Sequence, residues 1–272
     1  MKDIHTVDTC FAQDKYVDVH KIVNSHGYRA AVIVKRIRPR FNEAIVALLN
    51  TRLTQGIGRT DLIHPHLCPV YLLGVPDQSY LLMVTTHYEN GNVLEYLARN
   101  PTANVMKLIV QVASALEYLH DKDVAHGNIK ATNVLIDDNG AVRLSDVQLN
   151  VALRSMDVLS SGRARPPRAL GYKPPEEIQP SPQAPPVHFT KPGDVYALAV
   201  LVYEICAQGT YNPSRRSALQ CAESHANFLR NDAAAKLEQP LWWELLLECW
   251  DEDPVRRPSA KEVKRKLEEG NL

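Results

Sequence analysis

The chain changes character about one third of the way along, from short segments rich in β-branched residues to longer segments with helical periodicity. Residues 16–23 and 28–37 are two of the short segments, and the turn sequence Asn24-Ser25-His26-Gly27 between them predicts a β-hairpin. Residues 70–75 and 80–85 predict two more strands, and residues 41–53 have the apolar spacing of a helix. Strands followed by helices predict an α+β fold with a small β-rich lobe and a larger helical lobe.

Helical periodicity dominates from residue 92 onward. Residues 105–119 predict an amphipathic helix with one apolar stripe, whereas residues 195–206 are apolar nearly all round and predict a helix buried inside a lobe. Two further helices are predicted over residues 242–250 and 260–267. The longest apolar run, about twelve residues, is shorter than the roughly twenty residues that span a bilayer.

The charges of the chain cancel, with 31 Lys and Arg residues against 31 Asp and Glu residues. This balance argues against nucleic acid or an anionic membrane surface as a partner, since both attract an excess of positive charge. The five cysteines are scattered without C-x-x-C spacing, which indicates reduced thiols. Asp3 and Asp8 replace the apolar stretch of a signal peptide, so we expect a cytoplasmic protein.

The alternating residues His64, His66 and Cys68 raise the possibility of a zinc site. Structural zinc sites take four ligands, and no fourth ligand of suitable spacing follows nearby. A zinc site is therefore not the favoured interpretation of this segment.

The most informative segment is His126-Gly127-Asn128-Ile129-Lys130-Ala131-Thr132-Asn133, followed by Ser145-Asp146-Val147-Gln148. It resembles the catalytic loop and the metal-binding motif of eukaryotic protein kinases, H-R-D-[LI]-K-x-x-N and D-F-G. Other family motifs have counterparts in the same order at residues 32–35 (V-A-I-K), 171–176 (G-Y-R-A-P-E), 194–196 (D-V-W) and 249–258 (C-W-x-x-D-P-x-x-R-P). The last of these is typical of tyrosine kinases and the tyrosine-kinase-like (TKL) group.

The resemblance covers roughly residues 16–268 and implies one bilobed, protein-kinase-like domain over residues 1–272. Its N-lobe would span about residues 16–86, its hinge residues 86–91 and its C-lobe about residues 92–268.

The resemblance also implies roles for individual residues. Lys35 would contact nucleotide phosphates, Lys130 would be the catalytic-loop lysine, and Asn133 and Asp146 would hold Mg²⁺. The nucleotide itself would lie against Ile33, the gatekeeper Thr85, the hinge residues Thr86 and Tyr88, and Leu135. Two pairs would be structural: His126 with Asp194, and Glu176 with Arg257.

The chain departs from the family pattern at the positions that the family uses for catalysis and nucleotide binding. Asn128 stands where the family has its catalytic Asp, and a neutral amide cannot accept the proton of a substrate hydroxyl. Gly127 replaces the preceding Arg. No G-x-G-x-x-G precedes Lys35, which removes the glycines that let backbone N–H groups approach phosphates. Ile33 replaces a small Ala and would partly fill the adenine pocket.

Two assignments stay open at the level of sequence. Glu43 lies eight residues after Lys35, which is early for the family's Lys–Glu pair, although a loop insertion over residues 54–60 would restore the register. Without that pair we expect Lys35 to lack an anchor. Asn133 and Asp146 would either bind a nucleotide-associated metal ion or hydrogen-bond to loop backbone.

These features predict a TKL-type pseudokinase, a binding, scaffolding or allosteric signalling module with impaired or absent ATP binding and phosphotransfer. At most, ATP with Mg²⁺ would bind weakly. The expected partners are other signalling proteins, among them an active kinase, with no nucleic acid and no membrane span. One alternative is a weakly active, divergent ATP-dependent Ser/Thr kinase that uses Lys35, Lys130, Asn133 and Asp146. Another is a pseudokinase in which ATP stabilises one conformation for a partner.

Overall fold

The computed structural model describes residues 6–13, 17–24, 32–37, 62–74, 81–147, 170–178, 190–206 and 242–270. The chain divides into two compact units. The first comprises residues 1–63, 67–89 and 145–166, and the second comprises residues 64–66, 90–144 and 167–272. The helix predicted over residues 41–53, with Glu43, lies outside the described residues, as does Gln148.

The described part of the first unit contains five strands: β1 (Thr6–Gln13), β2 (Val17–Asn24), β3 (Val32–Ile37), β4 (Val70–Gly74) and β5 (Leu81–Thr86). They form an antiparallel sheet in the order β1-β2-β3-β5-β4. The hairpin predicted over residues 16–37 is confirmed: β2 and β3 pair from Val17 opposite Ile37 to Ile22 opposite Val32. The two strands predicted near residues 70 and 80 are also confirmed, as the antiparallel pair β4 and β5.

The sequence does not predict β1, which pairs with β2 and adds an edge to the sheet before residue 16. Its register runs from Thr6 opposite Asn24 to Gln13 opposite Asp18 and shifts between Cys10 and Ala12, as in a β-bulge. The segment is short of large apolar residues, so its local pattern is weak. β1 is held in the sheet by backbone hydrogen bonds to β2, and such bonds leave no trace in the local hydrophobic pattern of the sequence.

The second unit contains the helices and a short hairpin, β6 (Val134–Ile136) with β7 (Val142–Leu144). The helices of the described residues are α1 (Val93–Arg99), α2 (Val105–Asp121), α3 (Pro175–Ile178), α4 (Lys191–Cys206), α5 (Trp243–Cys249) and α6 (Ala260–Glu269). The predicted long amphipathic helix is confirmed as α2, the predicted all-round apolar helix as α4, and the last two predicted helices as α5 and α6. Two 3-10 helices, Ala131–Asn133 and Leu170–Tyr172, complete the unit. None of the described helices is both long enough and apolar enough to cross a membrane.

Helix α4 lies at the centre of the second unit. Every residue from Gly193 to Ile205 is buried, and α4 packs against α2, α5 and both 3-10 helices. This burial explains why the segment is apolar nearly all round. It also places two carboxyl groups, Asp194 and Glu204, in the interior, where each requires hydrogen-bonding partners.

The Glu176–Arg257 pair joins three parts of the second unit. The guanidinium of Arg257 donates to both carboxylate oxygens of Glu176, at 2.7 and 2.8 Å, and to the carbonyl oxygens of Pro192 and Asp251. It also lies 5.0 Å from the ring centroid of Tyr196. Since the Arg257 side chain is fully buried, this bidentate pair links α3 and the start of α4 to the turn between α5 and α6.

Arg257→Met should lower the free energy of unfolding by about 3 kcal/mol, because it leaves the Glu176 carboxylate without its partner in a largely buried position. The matched control is Arg256→Met, since Arg256 is 74% exposed and faces Asp253 at 3.5 Å. An exposed pair of this kind contributes about 0–1 kcal/mol. Thermal and denaturant unfolding of both variants measures the difference, and equal losses would contradict the structural role of Arg257.

Candidate functional site

In the first unit, Lys35 of β3 binds Asp146. The Nζ atom of Lys35 lies 2.5 Å from Oδ1 of Asp146, and the two side chains are only 18% and 11% exposed. The expectation that Lys35 lacks an anchor without Glu43 is therefore wrong, because Asp146 neutralises its charge. A largely buried ammonium group requires such a partner, and the Asp146 carboxylate provides it.

Ile33 and Thr85 share a sheet face with Lys35. In the pairing of β3 with β5, Ile33 lies opposite Thr85 and Lys35 lies opposite Met83. Directly opposite residues point to the same face, and alternate residues of one strand do so as well. Val34, between Ile33 and Lys35, is buried on the other face. The sheet thus brings together three of the residues that the sequence predicts for nucleotide binding.

The predicted hinge residues also have defined contacts within the first unit. The Thr86 hydroxyl lies 2.8 Å from the hydroxyl of Tyr71. Tyr88 interacts with Cys68, and burial raises the pKa of the Cys68 thiol to about 11. Cys68 is therefore a protonated, poorly nucleophilic thiol at neutral pH.

An ion pair at Glu89 was not predicted from the sequence. Lys21 of β2 places its Nζ atom 2.9 Å from Oε1 of Glu89, and Nδ1 of His87 lies 3.3 Å from the same oxygen. The hydrogen bond from Lys21 is the main reason that the pKa of Glu89 is lowered. Lys21 shares the face of Ile33, which it opposes in the β2–β3 pair. This sheet face therefore carries a second ion-paired lysine besides Lys35.

His64 and His66 in the second unit are held by protein groups. Nδ1 of His64 accepts the backbone N–H of His66 at 3.2 Å, and the His64 ring stacks on Tyr118 at 5.1 Å. Nδ1 of His66 lies 3.3 Å from the carbonyl oxygen of Val142. Burial lowers the pKa of both imidazoles. Within the described ranges, no three or more His, Cys, Asp or Glu side chains are grouped as a metal site would require.

The catalytic-loop segment, residues 126–133, is anchored to helix α4 by Asp194. Oδ2 of Asp194 accepts the backbone N–H of His126 and Oδ1 accepts that of Gly127, both at 2.7 Å. Nε2 of His120, at the end of α2, lies 3.0 Å from Oδ2. The predicted His126–Asp194 pair thus includes a bond from the His126 backbone, and His120 is a partner that the sequence does not reveal. A buried carboxylate with three such partners is well compensated.

Asn128 is held on both sides by hydrogen bonds of its own backbone. Its N–H donates to Nδ1 of His126 at 3.1 Å, and its carbonyl oxygen accepts from the side-chain amide of Asn133 at 2.8 Å. Asn128 and Lys130 line a crevice of the second unit together with Tyr172 and Lys173. The predicted catalytic residues therefore lie at an accessible surface of an ordered loop.

Leu135, the remaining predicted nucleotide-facing residue, lies in β6 and pairs with Asn92 through an isolated β-bridge. The adjacent Ile136 donates its N–H to the carbonyl oxygen of Gly91 at 3.0 Å, and the side-chain amide of Asn90 donates to the carbonyl of Asp137. These bonds fix residues 90–92 against the β6–β7 hairpin, with Leu135 half-buried beside them.

Asn133 and Asp146 fit a magnesium ion in chemical type. Carboxylate and amide oxygens are donors that Mg²⁺ accepts. Asp146, in the first unit, has its carboxylate engaged by Lys35, and Asn133, in the second unit, uses its amide nitrogen to brace Asn128. The hydrogen-bonding interpretation of Asn133 thus has an observed contact, whereas the metal-binding interpretation of both residues stays a prediction.

Comparison with known proteins identifies the family. Residues 12–267 match the family model described as protein tyrosine and serine/threonine kinase. The chain therefore belongs to this protein kinase family. The small antiparallel sheet and the helical second unit are the N-lobe and C-lobe of a protein kinase domain.

Similar proteins are also kinases by name. The chain is 28% identical to a leaf rust 10 disease-resistance locus receptor-like protein kinase-like 1.1 of Arabidopsis thaliana, over 76% of this chain and 36% of that protein. It is 27% identical to protein-tyrosine kinase 6 of Mus musculus, over 76% and 44%. It is 26% identical to megakaryocyte-associated tyrosine-protein kinase of Rattus norvegicus, over 76% and 43%. The chain thus spans less than half the length of these relatives.

Sequence reasoning missed a buried pair in the kinase C-lobe. The Tyr172 hydroxyl donates to Oε2 of Glu204 and accepts the backbone N–H of Ala131, at 3.2 Å for the second bond. The sequence did offer a signal, because Glu204 is an acid in an otherwise apolar helix and therefore needs a partner. The identity of that partner depends on tertiary structure.

Gly127→Ala should lower the free energy of unfolding by about 1–2 kcal/mol, because Gly127 has φ of +76°, a left-handed conformation that costs a side-chain-bearing residue energy. Gly270→Ala is the control, since Gly270 has φ of −74° and an added Cβ would make only ordinary contacts. Chemical denaturation of the two variants checks the prediction. A Gly127→Ala protein as stable as the control would contradict it.

Proposed function

We propose that this kinase-family chain is a TKL-type pseudokinase that acts as a binding, scaffolding or allosteric module. The observation that carries the proposal is Asn128. Its loop is anchored by Asp194 and braced by Asn133, as a loop that positions reacting groups should be. The side chain at the catalytic position is nevertheless a neutral amide, which can hydrogen-bond to a substrate hydroxyl but cannot take its proton.

Impaired nucleotide binding is the second part of the proposal. Lys35 and Asp146 neutralise each other, so a nucleotide phosphate and its Mg²⁺ would have to replace an existing ion pair. The strands before Lys35 are joined by residues 14–16 and 25–31, which together contain one glycine, Gly27. A cradle of backbone N–H groups around phosphates depends on several glycines. Ile33 adds bulk on the face of Lys35 and Thr85.

A signalling role accounts for a kinase domain that has lost its base. The similar proteins are receptor-like and tyrosine kinases by name, so we propose cytoplasmic signalling proteins as partners, an active kinase among them. The zero net charge supports neither nucleic acid nor a membrane surface as the partner.

The alternative function is a weakly active Ser/Thr-type kinase. The observation that favours it is the proximity of Lys35 and Asp146, which keeps two predicted phosphate- and metal-binding groups together. Together with Lys130 and Asn133, these groups could position the substrate and bind the metal ion, and so accelerate phosphate transfer somewhat without a strong base.

Transfer of labelled phosphate from Mg·ATP separates these functions. We expect the wild-type chain to transfer no more labelled phosphate than Lys35→Met does. Asn128→Asp should restore at most slow phosphate transfer, and adding Asp146→Asn should abolish it. Wild-type activity that is lost in both Lys35→Met and Asp146→Asn would overturn the pseudokinase proposal. If Asn128→Asp then raised that activity further, the weakly active kinase would be supported, and a flat response would argue against it.

Thermal melting with Mg·ATP measures nucleotide binding directly. A ligand at 1 mM adds about 0.4 kcal/mol of stability if its Kd is 1 mM, but about 2.7 kcal/mol if its Kd is 10 µM. We expect the smaller effect for the wild-type chain and a larger one for Ile33→Ala, which removes bulk from the face of Lys35. Val32→Ala is the control, because Val32 points to the opposite face of β3. A large wild-type shift would instead support the nucleotide-sensing pseudokinase.

A further inference from the structure

Three buried groups connect the catalytic-loop segment to the far end of helix α4. The backbone N–H of Ala131 donates to the hydroxyl oxygen of Tyr172, and that hydroxyl donates to Oε2 of Glu204. The three residues are 2%, 7% and 4% exposed, respectively. This chain of hydrogen bonds is the tie that joins the loop, the 3-10 helix Leu170–Tyr172 and α4.

We propose that this tie is a pH-sensitive positioning device, which holds the catalytic-loop segment against residues 170–178 while Glu204 is protonated and opens when Glu204 ionises. The proposal goes beyond the proposed function and does not depend on it, because it concerns the position of the loop and not phosphate transfer. Tyr172 and Glu204 are thus positioning residues, which act through the Ala131 backbone.

The surroundings of Glu204 explain why ionisation should open the tie. A buried carboxylate loses its hydration, and among the described residues one hydrogen bond, from Tyr172, replaces it in part. Burial accordingly raises the pKa of Glu204 to about 7, although the bond from Tyr172 acts in the opposite direction. A carboxyl group that titrates near pH 7 changes charge within the physiological range.

In the part of the chain that the structure describes, the charged groups on the elements around α4 do not compensate Glu204. Among the described residues, Tyr172 is the only titratable group that contributes to its pKa. On α2, His120 binds Asp194, which lies ten residues before Glu204 on α4. On α5, Glu248 pairs with Lys266 of α6. The 3-10 helix Ala131–Asn133, which also packs on α4, contributes only its backbone N–H to the tie.

The sign and size of the effect follow from proton linkage. Opening exposes the carboxyl group and returns its pKa to the ordinary value of 4.5, so the closed form binds the proton more tightly. The closed form is therefore favoured at low pH and loses stability as the pH rises from 4.5 through 7. With these two pKa values, the equilibrium constant for opening increases about tenfold between pH 6 and pH 8.

Backbone hydrogen exchange of the full chain, followed by NMR, tests the proposal at the Ala131 amide. After correction for the intrinsic pH dependence of exchange, the protection of Ala131 should fall about tenfold from pH 6 to pH 8. Glu204→Gln keeps the shape of the side chain and its ability to accept a hydrogen bond but cannot ionise, so its Ala131 protection should be constant. Tyr172→Phe removes the hydroxyl and should leave Ala131 poorly protected even at pH 6.

The amide of Leu116, in the buried middle of α2, distinguishes local opening from unfolding of the whole domain. Local opening requires that Ala131 exchange faster than Leu116 at each pH. Equal protection of the two amides would overturn the proposal, since the tie would then open only when the protein unfolds. The same conclusion would follow if the tenfold fall persisted in Glu204→Gln, or if wild-type protection did not change with pH.

Discussion

The bonds between the Asp194 carboxylate and the backbone N–H groups of His126 and Gly127 are the interaction on which the second unit depends. They fix the catalytic-loop segment to the central helix α4, and the loop in turn positions Asn128, Lys130 and Asn133. A charge placed in the interior is costly unless its partners are fixed in advance. Here the two partners in the loop are backbone N–H groups, so these bonds do not depend on the side chain at position 128.

This independence explains how the loop geometry can persist while its chemistry changes. Asn128 in place of an acid alters neither the backbone bond to the His126 ring nor the brace from Asn133, because both bonds use the Asn128 backbone. In the first unit, the Lys35–Asp146 pair similarly satisfies two charges without a nucleotide. Lys35 and Asp146, two charged groups that the family uses for chemistry, therefore each have a structural partner within their own unit.

The sequence predicts the parts of the fold that local pattern encodes. Helix α4 is recognisable because its burial on all sides demands apolar residues on all sides, and the β2–β3 hairpin because β-branched runs flank a turn. Strand β1 and the partners of the buried charges are not recognisable in this way. The contacts of Lys35 with Asp146 and of Tyr172 with Glu204 join residues 111 and 32 positions apart. Such pairs depend on tertiary packing, which no local pattern encodes.

The two buried carboxyl groups of α4 show how one helix can have a fixed end and a responsive end. Asp194 receives two backbone N–H groups and lies beside His120, whereas Glu204 receives one hydroxyl from Tyr172 among the described residues. Charge-assisted bonds from several donors offset the lost hydration of an anion, and a single neutral donor does not. Asp194 can therefore anchor the loop through fixed donors to both of its carboxyl oxygens, while the tie at Glu204 favours the neutral acid. The same loop is thereby held by one contact with several donors, at Asp194, and by another, at Glu204, that a rise in pH weakens.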